Sequence, residues 1–358
     1  MDRSVLIMAG GTGGHVFPGL AVAEFLRQQG WRVAWLGTRA GMEAKLVGQQ
    51  GYDMEWVSIE GVRGKGVLRL ALLPFNLLVA FWQAARAIFR QRPDVVLGLG
   101  GYSAFPGGMM AVLLNKPLVI HEQNSIAGLS NKVLAKLADR VLVAFPTAFG
   151  AAKRADQIWT GNPVRASIAA VAPPRERYER RDGRLRLLAV GGSLGAQALN
   201  ENLPRALALL PENARPIVTH QSGAQHFDAL QQAYAQAGIK ARLEAFIENM
   251  ARCYAENDLI ICRAGALTIA EIAAAGVASI LVPYPHAVDD HQTHNARFLA
   301  DKDAAILLPQ ARLNPRSLAD LLQNLTREKL LEMACRAREL GKPDATRVVA
   351  QHCMELAR

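Results

Sequence analysis

The sequence predicts an α/β protein of two domains, each a Rossmann-like parallel sheet with helices, facing each other across a cleft. Three observations predict this class. The chain has 358 residues, which is long for one domain. Residues 4–30 read as a buried strand, a glycine turn and a helix. The same plan begins again at residues 185–195, where an apolar strand leads into a second glycine turn.

Composition and charge limit the possible functions. With 51% hydrophobic and 20% charged residues, the chain can bury substantial cores. Its net charge of +10 calls for an anionic partner: nucleic acid, anionic lipid or a phosphorylated substrate. Four widely spaced cysteines form no CxxC pair, which favours reduced thiols and the cytoplasm. No apolar run reaches the roughly 20 residues that span a bilayer, and the N-terminus does not fit a signal peptide.

The first glycine turn predicts an anion site and argues against a dinucleotide site. Val16 stands where a dinucleotide-binding GxGxxG has its third glycine, and the second strand, Arg32 to Gly37, ends without an acid for an NAD ribose. An NAD-dependent oxidoreductase is therefore not expected. Another glycine-rich turn, Gly98 to Gly108, follows the predicted strand Asp94 to Gly98. Because ligands of open α/β sheets bind at the carboxyl ends of strands, we expect the two turns to meet over one site.

Polar residues and a linker complete the first half. Pro117 to Ile120 is a predicted strand, and His121-Glu122-Gln123-Asn124 follows where a strand delivers side chains to a cleft. Ile158 to Arg165 is the predicted exit from the first domain. The polar, basic stretch from residue 173 to 184 is expected to be a linker or surface segment.

Residues 61–92 fit two interpretations. Basic residues flank an apolar block from Leu70 to Trp82. A helix lying in a bilayer interface is one interpretation, with each basic residue near an anionic surface adding about 1 kcal/mol. A buried helix whose basic side chains reach out to solvent is the other.

The segment from Leu259 to Asn295 predicts a strand-helix-strand unit with an anion-binding turn. Arg263 to Thr268 falls where a strand ends and a helix begins, so backbone N–H groups and a positive helix end would face a docked phosphate. Glu271, inside the helix, could accept hydrogen bonds from a ribose diol. An ordinary crossover with a structural arginine and a surface glutamate gives the same pattern.

Metal and nucleic-acid functions are not expected. His286, His291 and His294 lie near two aspartates but lack any fixed ligand spacing, and Asp301-Lys302-Asp303, although of DxD form, suits a turn. The basic residues are not interleaved with aromatics as in known nucleic-acid readers. We therefore expect no metal, no cofactor and no nucleic-acid partner.

Seven motifs carry a resemblance that covers nearly the whole chain. They are Gly10-Gly-Thr-Gly-Gly-His15, Gly100-Gly101-Tyr102, His121-Glu-Gln-Asn124, Thr160-Gly-Asn-Pro-Val-Arg165, Gly191-Gly-Ser-Leu-Gly195, Arg263-Ala-Gly-Ala-Leu-Thr268 and Asp289-Asp-His-Gln292. In this order they closely resemble the MurG family of bacterial glycosyltransferases. These enzymes move N-acetylglucosamine from UDP-N-acetylglucosamine onto lipid I, which is undecaprenyl-pyrophosphoryl-N-acetylmuramoyl-pentapeptide.

The resemblance implies a GT-B fold and an inverting transfer to the C4 hydroxyl of the muramoyl sugar, which forms lipid II for peptidoglycan synthesis. Another UDP-N-acetylglucosamine enzyme of similar fold, such as an epimerase, is the alternative. The apolar and basic block argues against it, because a soluble sugar nucleotide needs no membrane surface.

The resemblance also implies roles for individual residues. His15 is the first candidate for the general base, since histidine titrates near neutral pH, and Glu122 is the second. A hydrogen-bond donor to phosphate is the alternative role for His15. Glu271 is expected to bind the ribose, and the backbone around Ile247 the uracil edge; Ala270 replaces a serine found in other family members. The remaining donor-site candidates are Thr12, Gly13, Gly14, Asn124, Arg165, Ser193, Ala266, Leu267, Thr268, Ile269, Ala270 and Gln292.

Acceptor and membrane contacts are expected in the first domain. The loops for the lipid I pyrophosphate are Gly10, Gly11, Gly100, Gly101 and Tyr102, and the membrane patch is Phe75, Leu78, Phe81 and Trp82. We expect an acceptor domain at residues 1–164, joined by a C-terminal helix at 341–358, and a donor domain at 165–340. Such a protein is expected at the cytoplasmic face of the inner membrane, as a peripheral protein on an anionic surface.

Overall fold

The computed structural model describes residues 3–59, 73–150, 156–179, 181–192 and 195–357. The chain divides into two compact units, residues 1–165 with 344–358, and residues 166–343. Within the described ranges each unit holds one sheet, of seven strands in the first and six in the second, and the strand pairs are parallel. The prediction of two Rossmann-like parallel-sheet domains is confirmed.

The first unit has the strand order β3-β2-β1-β4-β5-β6-β7. Its elements up to residue 165 are β1 (Ser4–Ala9), α1 (Gly13–Gln28), β2 (Arg32–Gly37), α2 (Met42–Gly48), β3 (Asp53–Trp56), α3 (Leu73–Gln91), β4 (Val95–Gly100), α4 (Ala104–Leu113), β5 (Leu118–Glu122), α5 (Leu129–Leu134), β6 (Arg140–Val143) and β7 (Gln157–Trp159). The order of strands reverses between β1 and β4. That pair is therefore the switch point at which open α/β sheets bind ligands.

The central strands of the first unit are apolar on both faces. Every residue of β1 and β4 is buried, as expected of parallel strands covered by helices on both sides. Trp35 on β2 is also fully buried, and its indole N–H donates to the Ala9 carbonyl over 2.9 Å. A Cβ on Gly19 of α1 would lie 2.5 Å from the Trp35 ring. Glycine at that position therefore allows α1 to pack closely against β2.

The second unit repeats the plan with the strand order β10-β9-β8-β11-β12-β13, so its switch point lies between β8 and β11. The chain continues with α6 (Ala166–Ala169), α7 (Pro174–Tyr178), β8 (Arg186–Val190), α8 (Gln197–Leu209), β9 (Ile217–Gln221), α9 (Phe227–Ala237), β10 (Arg242–Glu244), α10 (Met250–Glu256), β11 (Leu259–Cys262), α11 (Ala266–Ala275), β12 (Ala278–Leu281), α12 (His291–Ala300), β13 (Ile306–Leu307), α13 (Pro315–Gln323), α14 (Arg327–Leu340) and α15 (Ala345–Leu356). The short strands β3, β7 and β13 were not predicted.

The last helix belongs to the first unit. Val349, Ala350 and Cys353 of α15 are buried in the core that surrounds β1 and α1. Arg140 on β6 bonds His352 and Glu355, and the Thr346 hydroxyl donates to the Val164 carbonyl over 2.9 Å. The C-terminal helix is therefore held by apolar burial on one face and by polar contacts at its edges.

The stretch from residue 173 to 184 lies in the second unit, and most of its described residues are exposed, as predicted for a surface segment, but one face of α7 is buried. Arg177 is buried and donates to the backbone carbonyls of Tyr254 over 2.8 Å and Ala275 over 3.0 Å, near the ends of α10 and α11. Burial lowers the pKa of its guanidinium to about 10. Tyr178 is buried too, and its hydroxyl donates to the Asp258 carbonyl. Basic residues that bond carbonyls at helix ends leave no apolar pattern in the sequence.

Candidate functional site

The two glycine turns of the first unit touch at the switch point of its sheet. Ala9 at the end of β1 pairs with Gly100 at the end of β4. Gly101 has a φ of +84°, and a Cβ there would lie 2.3 Å from the Gly10 carbonyl oxygen. Both the backbone conformation and the available space therefore require glycine at position 101. The turns meet as predicted.

A buried carboxylate that was not predicted fixes the first turn. Glu43 on α2 accepts hydrogen bonds from the Gly11 N–H over 3.1 Å, the Thr38 N–H over 2.8 Å and the Thr38 hydroxyl over 2.7 Å. A Cβ on Gly10 would lie 2.6 Å, and one on Gly41 2.2 Å, from a Glu43 carboxylate oxygen. The Gly11 N–H is thus committed to Glu43 and is not available to a pyrophosphate. An acid in a short helix is ordinary, and only its contacts reveal this role.

His15 lies in the first turn of α1 and is half-buried. Its Nδ1 is 2.9 Å from the Gln123 Oε1, and the Gln123 Nε2 is 3.2 Å from the Nδ1 of His121. The Nε2 of His121 is in turn 2.9 Å from the Gly161 carbonyl oxygen. His121 is completely buried, and burial lowers its pKa to about 4. The structure therefore joins two residues of the predicted HEQN motif to the first candidate base.

Both carboxylate oxygens of Glu122, the second candidate base, are bonded to groups of the protein itself. It is buried, and its carboxylate oxygens accept from the backbone N–H groups of Asn124 over 2.9 Å and Gly128 over 3.1 Å, and from the Asn131 amide over 2.8 Å. These bonds tie the loop after β5 to the beginning of α5. They occupy the lone pairs that a base would offer to a substrate, so the geometry favours His15.

The other candidates of the first unit lie around these turns. Thr12 is exposed and precedes α1, and its carbonyl accepts the His15 N–H over 3.1 Å. Gly13, Gly14 and Asn124 are half-buried, and Tyr102 is exposed. Arg165, expected in the donor domain, is the last residue of the first unit before the chain enters the second.

In the second unit, polar side chains hold the turn between β11 and α11. Arg263 donates to the carbonyls of Val282 and Pro283 and to the Gln310 side chain, over distances of 2.7 to 3.2 Å. The Gln292 Oε1 accepts the Ala264 N–H over 3.3 Å, and the Asn295 amide donates to the Ala264 carbonyl over 3.2 Å. Gln292 therefore uses its oxygen on the turn, and its Nε2 is the group it can offer to a sugar hydroxyl.

The first turn of α11 offers backbone N–H groups to an anion. N–H groups in the first turn of a helix lack partners within that helix. Ala266 is buried, so only its backbone could contact a ligand, and Leu267, Thr268 and Ala270 are half-buried. Ile269 is buried too, and its N–H already donates to the Gly265 carbonyl over 3.0 Å. Gly265 before the helix has an extended backbone, and a Cβ there would lie 3.7 Å from the Thr268 Oγ1. These features are typical of a phosphate site at a helix N-terminus.

Glu271 is buried, so the alternative of a surface glutamate was wrong. It is only 5% exposed, and its Oε2 accepts a hydrogen bond from the Tyr254 hydroxyl over 3.0 Å. Tyr254 lies on α10 and was not predicted as a site residue. The tyrosine fixes one carboxylate oxygen of Glu271.

Two donor-site candidates of the second half remain, Ser193 and Ile247. Ser193 lies outside the described residues. The turn before it is held by the Gln221 amide, which donates to the Gly192 carbonyl over 3.3 Å. Ile247 is half-buried in the loop between β10 and α10. The neighbouring Phe246, which was not predicted as a site residue, is exposed.

Helix α3 of the first unit presents an apolar face to solvent. Phe75, Leu78 and Trp82 are 65%, 67% and 62% exposed, whereas Phe81 is half-buried with its ring 6.1 Å from that of Phe105. The interpretation of a wholly buried helix was therefore wrong. Arg63, Lys65 and Arg69 lie outside the described residues. Further exposed apolar side chains of this unit are Phe89, Leu113 and Leu129.

Neither membrane spans nor metal ligands are found in the described part of the chain. Each helix described is too short or too polar to cross a bilayer. The described residues also include no cluster of three histidine, cysteine, aspartate or glutamate side chains that could hold a metal ion.

Comparison with known proteins identifies the family. The family model for the glycosyltransferase family 28 N-terminal domain matches residues 5–143, and that for the C-terminal domain of the same family matches residues 186–349. A protein of Nitrosospira multiformis is 62% identical over 99% of both chains, and one of Dechloromonas aromatica is 58% identical over 100% of both. Both are named UDP-N-acetylglucosamine–N-acetylmuramyl-(pentapeptide) pyrophosphoryl-undecaprenol N-acetylglucosamine transferase. The chain belongs to the MurG family.

A solved structure supports the same identification. The crystal structure of Acinetobacter baumannii MurG matches with a TM-score of 0.85 and 45% identity, covering 99% of this chain and 100% of that one. The resemblance to the MurG family, the GT-B fold class and the glycosyltransferase activity predicted from the sequence are confirmed.

Proposed function

We propose that this chain transfers N-acetylglucosamine from UDP-N-acetylglucosamine to the C4 hydroxyl of the muramoyl sugar in lipid I, with inversion, to form lipid II for peptidoglycan synthesis. The observation that carries the proposal is the 62% identity, over 99% of the chain, to a relative whose name states this transfer. The geometry of each unit supports one half of the reaction.

The second unit supplies the donor half. The N–H groups at the beginning of α11 bind the diphosphate of UDP, and the Glu271 carboxylate accepts from the ribose hydroxyls. The backbone at Ile247 reads the uracil edge, and the Gln292 Nε2 contacts the sugar. Ser193 adds a hydroxyl to the diphosphate, and Arg165, the last residue of the first unit before the chain enters the second, adds positive charge. Together these contacts stabilise UDP as an anionic leaving group.

The first unit supplies the acceptor half. His15 takes the proton of the acceptor hydroxyl as that oxygen attacks the anomeric carbon, and general-base catalysis of this kind contributes roughly 10²- to 10⁴-fold. The lipid I pyrophosphate is held by Gly10, Gly100, Gly101 and Tyr102. The N–H group of Gly11, next to Gly10, is bonded to Glu43 instead. Thr12, Gly13, Gly14 and Asn124 contact the donor sugar. Glu122 shapes the loop that carries Asn124.

The exposed face of α3 holds the protein on the membrane that contains lipid I. Clustered exposed apolar residues mark interaction surfaces, and basic residues near them attract anionic headgroups. The proposed location is the cytoplasmic face of the inner membrane, as a peripheral protein without a nucleic-acid partner. We expect the triple variant Phe75→Ser, Leu78→Ser, Trp82→Ser to sediment with anionic vesicles at least tenfold less than the wild type, since each buried apolar side chain contributes roughly 1.5 to 3 kcal/mol. Leu209→Ser, an exposed leucine of the second unit, is the matched control.

The transfer assay tests the function directly. Radiolabelled UDP-N-acetylglucosamine is incubated with the chain and a lipid I analogue, and the mixture is then extracted with organic solvent. Label in the lipid fraction that depends on the acceptor supports the proposal. Label that stays in the aqueous phase refutes it, and label recovered there as an epimerised sugar nucleotide would establish the epimerase alternative.

A further inference from the structure

A chain of hydrogen bonds joins His15 to the interior of the first unit through one amide side chain. The Gln123 Oε1 faces the His15 Nδ1 at 2.9 Å. The Gln123 Nε2 lies 3.2 Å from both the Nδ1 and the carbonyl oxygen of His121. The chain ends where the His121 Nε2 meets the Gly161 carbonyl oxygen at 2.9 Å. Gln123 and His121 are almost fully buried, so water does not compete for these bonds.

Two backbone carbonyls fix the direction of every proton in this chain. A carbonyl oxygen only accepts, so the His121 Nε2 carries a proton and donates it to Gly161. Burial keeps the pKa of His121 near 4, so the ring is neutral at pH 7 and its Nδ1 is an acceptor. The end of the Gln123 side chain that faces the His121 carbonyl must be the NH₂ group. Its oxygen therefore faces His15 and accepts a hydrogen bond from the Nδ1–H.

We propose that Gln123, oriented by His121, is a positioning residue that selects the Nδ1–H tautomer of His15 and so leaves Nε2 as its basic nitrogen. The tautomer of a neutral histidine is set by the hydrogen bond that its other nitrogen makes. The ring is restrained on a second side by the glycine turn, because a Cβ on Gly100 would lie 3.0 Å from the His15 Cε1. The inference rests on the proposed function for its chemical meaning.

The proton and electron balance of the transfer is complete with this tautomer. The acceptor O–H bond breaks and its proton passes to the His15 Nε2. The acceptor oxygen forms its bond to the anomeric carbon, and the bond from that carbon to UDP breaks with its electron pair on the UDP oxygen. His15 becomes an imidazolium whose Nδ1–H still donates to Gln123, so the same hydrogen bond stabilises the charge that develops on the ring.

The tautomer can be read by NMR without any substrate. The full chain is labelled with ¹⁵N-histidine, and long-range ¹H–¹⁵N correlations are recorded at pH 8; the signals missing from His15→Gln belong to His15. We expect an Nδ1–H tautomer in the wild type and a shift towards Nε2–H in Gln123→Leu. Gln157→Leu, at the beginning of β7 in the same unit, is the matched control and leaves the His15 signals unchanged. The proposal is overturned if the wild type has the Nε2–H tautomer. It is also overturned if Gln123→Leu keeps the tautomer of the wild type.

Kinetics separate positioning from loss of structure. Gln123→Leu is expected to lower kcat about 10²-fold, within the range of general-base catalysis, with the KM for UDP-N-acetylglucosamine changed less than about twofold. Gln123→Glu keeps an oxygen opposite the His15 Nδ1 and is expected to recover most of the lost kcat. An unchanged kcat in Gln123→Leu contradicts the proposal. Because the NMR experiment needs no turnover, it decides the role of Gln123 even where the transfer assay refutes the proposed function.

Discussion

The two units hold the turns at their switch points with side chains of opposite charge. In the first unit the buried Glu43 carboxylate accepts the Gly11 N–H, so part of the turn is already bonded to an anion of the protein itself. In the second unit the Arg263 guanidinium bonds backbone carbonyls, and the first-turn N–H groups of α11 are left for a ligand. The helix that follows the second-unit turn keeps its first N–H groups for a diphosphate, whereas the first-unit turn, bonded to a carboxylate of the protein, is better suited to present a side chain, here His15.

A buried histidine in each unit shows a second difference between the units. His121 in the first unit and His220 in the second are both buried, and both have a ring nitrogen within 3.2 Å of an amide side chain. The chain from His121 leads through Gln123 to His15, which is half-buried. His220 instead contacts Asn200 and Tyr234, both of which are buried in the core. The same hydrogen-bonding unit thus serves catalysis in our proposal for one unit and folding stability in the other.

Removing Glu43 is expected to have the largest effect. Glu43→Ala removes three hydrogen bonds to a charged acceptor, from the Gly11 N–H and from the N–H and hydroxyl of Thr38, which costs about 3 to 5 kcal/mol of unfolding free energy. The five tryptophans are Trp31, Trp35, Trp56, Trp82 and Trp159, all in the first unit, so urea unfolding followed by tryptophan fluorescence reports on that unit. Glu212→Ala, an exposed glutamate of the second unit, is the control. An unchanged midpoint in Glu43→Ala would show that the carboxylate does not hold the turn.

Acid should destabilise the first unit through His121. Burial lowers its pKa to about 4, below the value near 6.5 of an unfolded histidine, so the unfolded chain binds the proton first as pH falls. The stability that the neutral ring contributes is present above pH 6.5 and is lost between pH 6.5 and 4, on the order of 3 kcal/mol. Tryptophan-detected urea midpoints at pH 7.5, 5.5 and 4.5 measure the loss. His121→Gln should flatten this dependence, and a variant that keeps the full slope would assign it to other groups.

Sequence patterns predicted the elements that depend on local signals. The apolar runs of β1 and β11 and the glycines after them were readable, because strand burial and turn conformation depend on neighbours in the chain. Glu43 and Tyr254 could not be found in this way. Tyr254 acts through a contact with Glu271, 17 positions away. Glu43 bonds Gly11, 32 positions away, as well as Thr38, 5 positions away. No periodic pattern records such a contact.

The exposed apolar face of α3 is an intermediate case. The sequence predicted Phe75, Leu78 and Trp82 as a patch, and these side chains are exposed as that interpretation requires. Leu113 and Leu129 are exposed as well, but they come from α4 and α5 and were not predicted. Packing of α3 on α4 and of α4 on α5 places these helices side by side in the first unit. Exposed side chains on neighbouring helices cannot be read from one amphipathic block.

Substitution of Glu271 tests the role of the second unit in donor binding, and its expected effect is smaller. Glu271→Ala should weaken UDP binding by about 1 to 3 kcal/mol, because the ribose hydroxyls lose a charged acceptor. Isothermal titration with UDP measures the change in Kd. Glu256→Ala, which removes a half-buried glutamate of α10 that pairs with Arg252, is the control and should leave the affinity unchanged. Equal affinities in Glu271→Ala and the wild type would remove the ribose role and leave Glu271 a structural role, such as its bond to Tyr254.

Tyr254 should give the smallest effect, and it separates positioning from contact. Tyr254→Phe removes the hydroxyl that fixes the Glu271 Oε2 while keeping the buried ring, so the expected loss of UDP affinity is about 1 kcal/mol, the value of one hydrogen bond. Tyr234→Phe is the matched control, because it removes a buried hydroxyl of the same unit that bonds His220. We expect it to lower stability without changing the Kd for UDP. If both variants weaken UDP binding equally, the effect comes from general loosening of the second unit. If only Tyr254→Phe does, the tyrosine acts through Glu271, and combining it with Glu271→Ala should add no further loss.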